Sequence, residues 1–151
     1  MIVVTASRLS VDEFEATTSV DVIDRLQIDT RGASSISDLI RQLPGVRVTE
    51  QGGRGGVTDI YIRGGESNFT IVMIDGVKVN DSVNQRGAGY NFSNLSLQSV
   101  SRVELVRGPL SSIYGSDALA GVIQFFSDRR EPGTSLSFQA GSDDYFSVAA
   151  A

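Results

Sequence analysis

Cysteine and histidine are both absent from the 151 residues of this chain. Their absence excludes disulfides, thiolate zinc sites, cysteine nucleophiles and histidine-based catalytic triads. The net charge is −5 at pH 7, which argues against a nucleic-acid-binding protein that depends on phosphate contacts. These absences remove several common enzymatic and nucleic-acid-binding functions from consideration.

Lysine is almost absent as well, because Lys78 is the only lysine among thirteen basic residues. Arginine suits planar, bidentate and partly buried ion pairs, so the bias predicts arginines that dock against carboxylates. A GC-rich genome would produce the same bias, and the sequence does not distinguish these two explanations.

Long apolar runs are also missing, since none approaches the roughly 20 residues that a membrane-spanning helix requires. The chain lacks a charged leader followed by a long apolar core, which is the pattern of a signal peptide. We therefore expect either a cytosolic protein or a chain whose front end has been removed. With 40% apolar and 21% charged residues, a single domain with its own core is expected.

The apolar pattern divides the chain into short helices and strands. A helix is predicted over residues 36–43, after a Ser35–Asp38 capping box and before the helix-ending Pro44-Gly45. Asp24 is predicted to cap a shorter helical turn, and Asp75-Gly76 predicts a tight hairpin turn. Strands are predicted at residues 19–23, 46–49, 60–63, 70–74, 77–80 and 122–126.

The segment 102–121, RVELVRGPLSSIYGSDALAG, is the most informative part of the sequence. It begins as a strand, and Arg107-Gly108-Pro109 ends that strand because proline removes a ladder donor. We expect Ser116 or Asp117 to cap a short helical turn over residues 118–120, which the following glycine closes. The segment therefore predicts a strand, a tight loop with an arginine at its corner, and a short helix.

Two loops are rich in glycine or polar residues. The glycine-rich loop 51–56 lacks the Gly-Lys-Ser/Thr signature of a phosphate-binding loop and no helix follows it, which favours a surface loop between strands. The polar segment 81–93 is long for an irregular loop in a compact domain, which predicts a binding role. A merely mobile loop is the alternative for this segment.

The last part of the chain has a different pattern. After a charged turn at 128–133, residues 134–140 and 145–151 alternate apolar with mainly small polar residues. This alternation is typical of membrane β-barrel strands. The edge of a soluble sheet is the alternative interpretation.

Four motifs together resemble the plug domain of TonB-dependent outer-membrane receptors. They are SDLIRQLPGVRV, DIYIRGG, IVMIDGVKVN and RVELVRGPLSSIYGSDALAGVIQFFS, in that order. The resemblance extends from Ile2 to about Ser127 and is strongest to the vitamin B12 (cobalamin) receptor. It implies an α+β plug domain with a central mixed β-sheet and short helices, followed by the first strands of a truncated transmembrane β-barrel. The implied domains are 1–18 for the TonB box and linker, 19–128 for the plug and 129–151 for the barrel start.

The resemblance implies active uptake of a scarce nutrient across the outer membrane. The plug would fill the lumen of its own β-barrel, and its N-terminal strand would face the periplasm and bind the energy-coupling protein TonB. The implied ligand is cobalamin or a related corrinoid, with a ferric siderophore or haem as the alternative, and no cofactor is implied for the fragment. From a different class, the alternative is a soluble interaction module that binds a ligand with loop 81–93.

Three sets of residues carry these implied roles. The TonB-binding strand comprises Ile2, Val3, Val4, Thr5 and Ala6, and its β-branched residues favour an extended backbone. Arg63 and Arg107, in the IRG and RGP motifs, are implied to lock the plug to glutamates of the barrel. Residues of the loops 51–56, 65–69 and 81–92 are implied to form the floor of the substrate site, namely Gln51, Arg54, Glu66, Asn68, Asn84, Gln85, Arg86 and Tyr90.

Catalysis has no support in the sequence. The adjacent acidic residues at 12–13 and 143–144 fall in expected turns, where solvation accounts for them. Ser116 lacks the Gly-x-Ser-x-Gly elbow, and no histidine is present to activate it. We therefore assign neither a catalytic residue nor a metal ligand.

Overall fold

The computed structural model describes residues 2–3, 11–12, 19–51, 57–80, 90–92, 95–128, 136–140 and 146–150. The elements in these residues are β1 (Ile2–Val3), β2 (Val11–Asp12), β3 (Ser19–Asp24), α1 (Arg25–Thr30), α2 (Ile36–Arg41), β4 (Val46–Gln51), β5 (Val57–Ile62), β6 (Thr70–Ile74), β7 (Val77–Lys78), β8 (Val100–Arg107), α3 (Ser111–Tyr114), β9 (Gly121–Ser127), β10 (Leu136–Ala140) and β11 (Phe146–Ala150). Single 3-10 turns lie at Ser67–Phe69 and Leu97–Ser99.

A five-stranded mixed sheet forms the centre of the fold, in the order β3-β8-β9-β6-β7. β6 and β9 are parallel, whereas the other neighbouring strands are antiparallel. The inner strands β8, β9 and β6 are mostly buried because both of their faces are covered, and β6 and β9 are largely apolar. The predicted α+β class with a mixed sheet is therefore confirmed.

Apolar side chains on the two faces of this sheet form two separate clusters. The larger cluster contains Leu105 and Phe125 of the sheet, together with residues of α2 and of the β4–β5 hairpin. The smaller cluster contains Val106 and Val122, with Leu110 beside α3. Successive residues of a strand point to opposite faces, so Leu105 and Val106 belong to different clusters.

β4 and β5 form a separate antiparallel hairpin with a regular register. Val46 lies opposite Ile62, and Gln51 lies opposite Val57 at the other end. Ile60 and Ile62 are buried in the larger cluster, which attaches one side of the hairpin to the core. The glycine-rich segment 52–56 connects the two strands, and it lies outside the described residues.

Local sequence signals determine where several elements begin and end. Asp24 caps α1 in a reciprocal capping box, since its side chain accepts from the Gln27 amide at 2.8 Å and the Gln27 side chain accepts from the Asp24 amide at 3.3 Å. Ser35 caps α2 by accepting from the Asp38 amide at 3.1 Å. Asp75-Gly76, with φ values of 47° and 85°, forms the hairpin turn between β6 and β7. The Asp24 cap, the Ser35 cap and the Asp75-Gly76 turn are confirmed, although α2 and β7 are shorter than expected.

The predicted helical turn over residues 118–120 is wrong. The helix of this region, α3, lies earlier, and Gly115 ends it with a φ of 89°. Ala118 is fully buried in the smaller cluster, and its carbonyl accepts a hydrogen bond from the Leu110 amide at 2.8 Å. This packing outweighs the capping signal of Ser116-Asp117, and Gly121 begins β9 instead of ending a helix.

β10 and β11 form an antiparallel hairpin over five residues each. Phe138, opposite Val148, is exposed, as are Val148 itself and Phe146. The interpretation of this hairpin as barrel strands stays a prediction, as do the domain boundaries at residues 18 and 128. Among the described residues, no helix has the length and apolar character needed to cross a membrane.

Candidate functional site

The Pro44-Gly45 turn brings both predicted lock arginines to one place. Proline prevents α2 from continuing, and Gly45 has a φ of 71°, a left-handed conformation that favours glycine. The Gly45 carbonyl accepts a hydrogen bond from the backbone N–H of Arg63 at 2.8 Å. The Pro44 carbonyl accepts one from Nη1 of Arg107 at 2.7 Å. We call Asp21, Pro44, Gly45, Arg63 and Arg107 the arginine cluster.

Arg63 lies in the bend that follows β5, one residue beyond the strand in which the sequence placed it. Its φ is 51° and that of Gly64 is 78°, so the chain turns sharply at this position. Its side chain is exposed. The arrangement presents a guanidinium at the surface of the described part of the chain.

Two glycines allow this bend to pack closely against the central sheet. A Cβ atom on Gly121 would lie 2.4 Å from the Val106 carbonyl oxygen and 2.9 Å from Cδ1 of Ile62. A Cβ atom on Gly65 would lie 2.8 Å from the Cβ of Ala120. Because Gly65 and Gly121 have no Cβ atom, the end of β5 can lie close to β8 and β9, and this places Arg63 next to the central sheet.

Arg107 points inward, in contrast to Arg63. Its Nη1 donates to the Pro44 carbonyl, and its Nη2 is ion-paired with the Asp21 carboxylate of the neighbouring strand β3. The Arg107 side chain is only 11% exposed. Its Nε is buried and makes no hydrogen bond to any described residue. The two predicted lock residues thus share one turn but differ in how accessible their guanidinium groups are.

The polar segment 81–92 is held firmly at both of its ends. At its start, the Asn80 side chain accepts from the Val72 amide at 2.7 Å and donates to the Thr70 carbonyl at 2.9 Å. Near its end, the Tyr90 amide donates to the Thr58 carbonyl at 3.3 Å. The buried Phe92 ring packs edge-on against Tyr90 at a centroid distance of 4.9 Å. The segment therefore runs from the start of β6 to the start of β5.

The described substrate residues form two groups at opposite ends of β5. Gln51 and Tyr90 lie near its start, and Glu66 and Asn68 follow its end. Glu66 and Asn68 are exposed just before β6, and Tyr90 lies half-buried beside β5. Gln51 is the last residue of β4, at the tip of the hairpin. At about 3.3 Å per residue, the five steps of β5 separate the hairpin tip from the bend after Ile62 by about 17 Å. Segment 81–92 connects these two groups, whereas Arg54, Asn84, Gln85 and Arg86 lie outside the described residues.

The predicted TonB-binding strand is described only in its first part. Ile2 and Val3 form β1, which pairs antiparallel with β2, so that Val3 lies opposite Val11. Asp12, which was expected in a turn, belongs to β2, and that expectation is wrong. Val4, Thr5 and Ala6 lie outside the described residues.

Among the residues that the structure describes, three charged side chains have pKa values that depart from the ordinary ones. The hydrogen bond from Lys78, at 2.5 Å, holds the pKa of Asp117 below its usual value. The Ser34 hydroxyl likewise lowers the pKa of Asp38. The Asp29 carboxylate raises the pKa of Arg25. Asp117 is exposed, whereas Asp38 and Arg25 are half-buried. In all three the pKa shift comes from a bond that stabilises local structure, so none of them indicates acid–base chemistry.

Sequence reasoning missed three features of these regions. Asp21 gave no signal because one aspartate in a short alternating strand is commonplace, and its partner is 86 positions away. Asn80 was assigned to a strand, although its side chain pairs with β6. Glu104 is fully buried, and Arg102 pairs with it at 3.0 Å while lying 4.1 Å above the Phe126 ring. The alternation Arg102–Glu104 on one strand face was a usable signal for this last pair.

A family model described as the TonB-dependent receptor plug domain matches residues 12–122. Among solved structures, the chain is similar to Pseudomonas aeruginosa FpvA bound to a heterologous ferric pyoverdine, with 26% identity, a TM-score of 0.74 and coverage of 96% of this chain and 19% of that one. It is also similar to the FpvAI–pyocin S2 complex, with 25% identity, a TM-score of 0.79 and coverage of 99% of this chain and 19% of that one. A third similar structure is a ferric enterobactin receptor mutant of Pseudomonas aeruginosa, with 29% identity, a TM-score of 0.60 and coverage of 78% of this chain and 18% of that one.

The chain spans about a fifth of the length of these solved structures. The matched family segment contains the whole central sheet up to the start of β9, the arginine cluster and all three predicted substrate loops. More than half of the chain is matched by this one family model. The chain therefore belongs to the TonB-dependent receptor plug domain family.

Proposed function

We propose that this chain is the plug of an outer-membrane receptor that takes up a ferric siderophore. The observation that carries the proposal is the similarity of almost the whole chain to a ferric pyoverdine-bound receptor. A ferric yersiniabactin uptake receptor of Yersinia pestis contains a region of the same fold, which matches 85% of this chain and 20% of that one. Cobalamin, the ligand first expected from the sequence, has no support among these structures, and we do not propose it.

The loops 51–56, 65–69 and 81–92, which we call the three-loop surface, are the part of the plug proposed to contact the siderophore. Its described members are Glu66, Asn68 and Tyr90, with Gln51 at the hairpin tip. Asn80 and Phe92 support the proposal because they fix both ends of segment 81–92 to the rigid core. A loop fixed in this way loses less conformational entropy when it binds a ligand.

The arginine cluster is the proposed contact between the plug and its barrel. Arg63 is exposed and suited to bidentate pairing with a barrel glutamate. Arg107 supports this contact indirectly by holding the Pro44-Gly45 turn, because its terminal nitrogens already bind Asp21 and Pro44. Arg63→Ala is therefore expected to loosen the plug in the intact receptor, measured as increased antibiotic leakage through the barrel. Unchanged leakage would contradict the lock role.

The segment Ile2–Ala6 is proposed to pair with a strand of TonB by β-augmentation, in which main-chain hydrogen bonds provide the affinity. Val4→Pro removes one of these donors. We expect it to abolish energised uptake while siderophore binding is unchanged, and Val4→Ala serves as the control. Normal uptake by the proline variant would refute this assignment.

The experiment that tests the transport function uses the full receptor containing this plug, produced in a strain that lacks its own siderophore receptors. Uptake of radiolabelled iron is measured with ferric pyoverdine, ferric enterobactin and ferric yersiniabactin, with radiolabelled cobalamin in parallel. TonB-dependent uptake of a ferric siderophore supports the proposal. Uptake of cobalamin alone would refute it.

A further inference from the structure

Asp21 is the acidic residue that holds the Arg107 guanidinium within the plug. Its carboxylate pairs with Nη2 of Arg107, while Nη1 is occupied by the Pro44 carbonyl at 2.7 Å. The Asp21 side chain is 29% exposed and that of Arg107 is 11% exposed, so water screens this pair less than a surface pair.

The register of the sheet explains why these two residues meet. Ser19 lies opposite Arg107 and Asp21 lies opposite Leu105, so Asp21 and Arg107 are diagonal neighbours on one face of β3 and β8. Long side chains reach each other across this diagonal. The same face carries the larger core cluster, and the pair lies at its rim beside the Pro44-Gly45 turn. The pair therefore joins three elements: β3, β8 and the turn after α2.

Of the two strands that this ion pair joins, β3 is held by fewer neighbouring strands than β8. It is an edge strand, and among the described strands it pairs only with β8. It also directly follows the N-terminal segment 1–18, which contains the proposed TonB-binding strand. A displacement of the N-terminal segment consequently reaches β3 before any other element of the central sheet.

We propose that Asp21 is a positioning residue that couples the edge strand β3 to the arginine cluster. While β3 is docked, Asp21 keeps the Arg107 guanidinium turned onto the Pro44-Gly45 turn. When β3 moves away from β8, Arg107 loses its carboxylate partner and the cluster loosens. The regulatory part of this inference rests on the proposed function, because it assumes that TonB acts on the N-terminal segment. The local part, the dependence of β3 docking on Asp21 and Arg107, does not rest on it.

The local part is tested by amide hydrogen exchange on the 151-residue chain. Asp21→Asn is expected to accelerate exchange of the β3 amides about tenfold relative to those of β6, because a charge-assisted hydrogen bond to the strand is lost. Asp21→Glu is expected to restore most of the protection. Asp29→Asn, which removes the partner of Arg25 on the neighbouring helix α1, is the matched control and should leave β3 unchanged.

Non-additivity distinguishes positioning through Arg107 from a general structural effect. The double variant Asp21→Asn/Arg107→Met is expected to exchange no faster than Arg107→Met alone. Arg107→Lys, which keeps the charge, provides a second variant if the methionine variant fails to fold. Wild-type exchange in Asp21→Asn, or additive effects in the double variant, would overturn the local inference.

The regulatory part is tested in the full receptor. Asp21→Asn is expected to lower energised siderophore uptake at least several-fold while the Kd for the siderophore remains within about twofold of wild type. Normal uptake by this variant, with faster β3 exchange, would overturn the coupling and leave the local inference standing. A wild-type receptor that takes up no siderophore would instead refute the proposed function, and the exchange result would be unaffected.

Discussion

Gly121→Ala is expected to destabilise the plug more than Gly65→Ala or Gly76→Ala. The added Cβ would lie 2.4 Å from the Val106 carbonyl oxygen and 2.9 Å from Cδ1 of Ile62. Ile62 can change its rotamer, whereas the carbonyl belongs to the backbone of the central strand β8 and can move only with the sheet. Overpacking of a core typically costs about 1–3 kcal/mol, and we expect this site to lie at the upper end, about 3 kcal/mol.

The measurement is urea unfolding of the 151-residue chain, with thermal unfolding as a second readout. A loss of about 3 kcal/mol corresponds to a decrease in Tm of about 6–12 °C for a chain of this size. It is a large fraction of the stability of a typical domain, which is about 5–15 kcal/mol.

Two other glycines provide matched controls. Gly76 has a φ of 85°, and a Cβ there would have no neighbour within 4 Å, so Gly76→Ala costs only backbone strain, about 1–2 kcal/mol. Gly65→Ala would meet the Cβ of Ala120 at 2.8 Å, a side-chain atom in a loop, and should be intermediate. A Gly121→Ala variant that is as stable as Gly76→Ala would refute the close-approach argument.

Three further predictions concern single contacts. Asn80→Ala should cost about 2–3 kcal/mol in urea unfolding, because it removes two part-buried hydrogen bonds to the β6 backbone. A loss below about 0.5 kcal/mol, the size expected for an ordinary surface substitution, would contradict this. Asp24→Ala should cost about 1 kcal/mol through loss of the α1 cap, and Asp24→Asn should restore most of it. Lys78→Met should raise the pKa of Asp117 toward its ordinary value in an NMR titration. Because folding lowers the pKa of Asp117, the ion pair with Lys78 stabilises the fold above the pKa of the unfolded chain. This stabilisation is lost as the pH falls through the pKa of the folded chain. Both side chains are exposed, so the effect should stay below about 1 kcal/mol. An unchanged Asp117 pKa in Lys78→Met would refute that assignment.

The elements that were predicted correctly depend on short-range chemistry. Asp75-Gly76 specifies its turn because both residues tolerate positive φ, and the Asp24 cap is separated from Gln27 by only three positions. The inner strand β6 was recognised because five consecutive residues are apolar or β-branched. In these cases the determining partners lie within a few residues of each other, so the pattern itself contains the information.

The features that were missed depend on partners far apart in the sequence. Asp21 was missed as the partner of Arg107 because nothing near either residue in the chain indicates that they lie beside each other in the sheet. Ser116-Asp117 predicted a helix cap, but the burial of Ala118 against residues of the smaller cluster determined the local conformation. The sequence therefore identified Arg63 and Arg107 as members of the arginine cluster, whereas Asp21 could be identified only from the three-dimensional structure.

Iron uptake by the full receptor tests the central claim most directly. Radiolabelled ferric siderophore is supplied to energised cells that carry the wild-type receptor, the Val4→Pro variant or no receptor, with radiolabelled cobalamin supplied in parallel. We predict saturable uptake of at least one ferric siderophore by the wild type, uptake at the background level in Val4→Pro, and cobalamin uptake at the background level throughout. Cobalamin uptake without siderophore uptake, or siderophore uptake that survives the Val4→Pro change, would contradict this account.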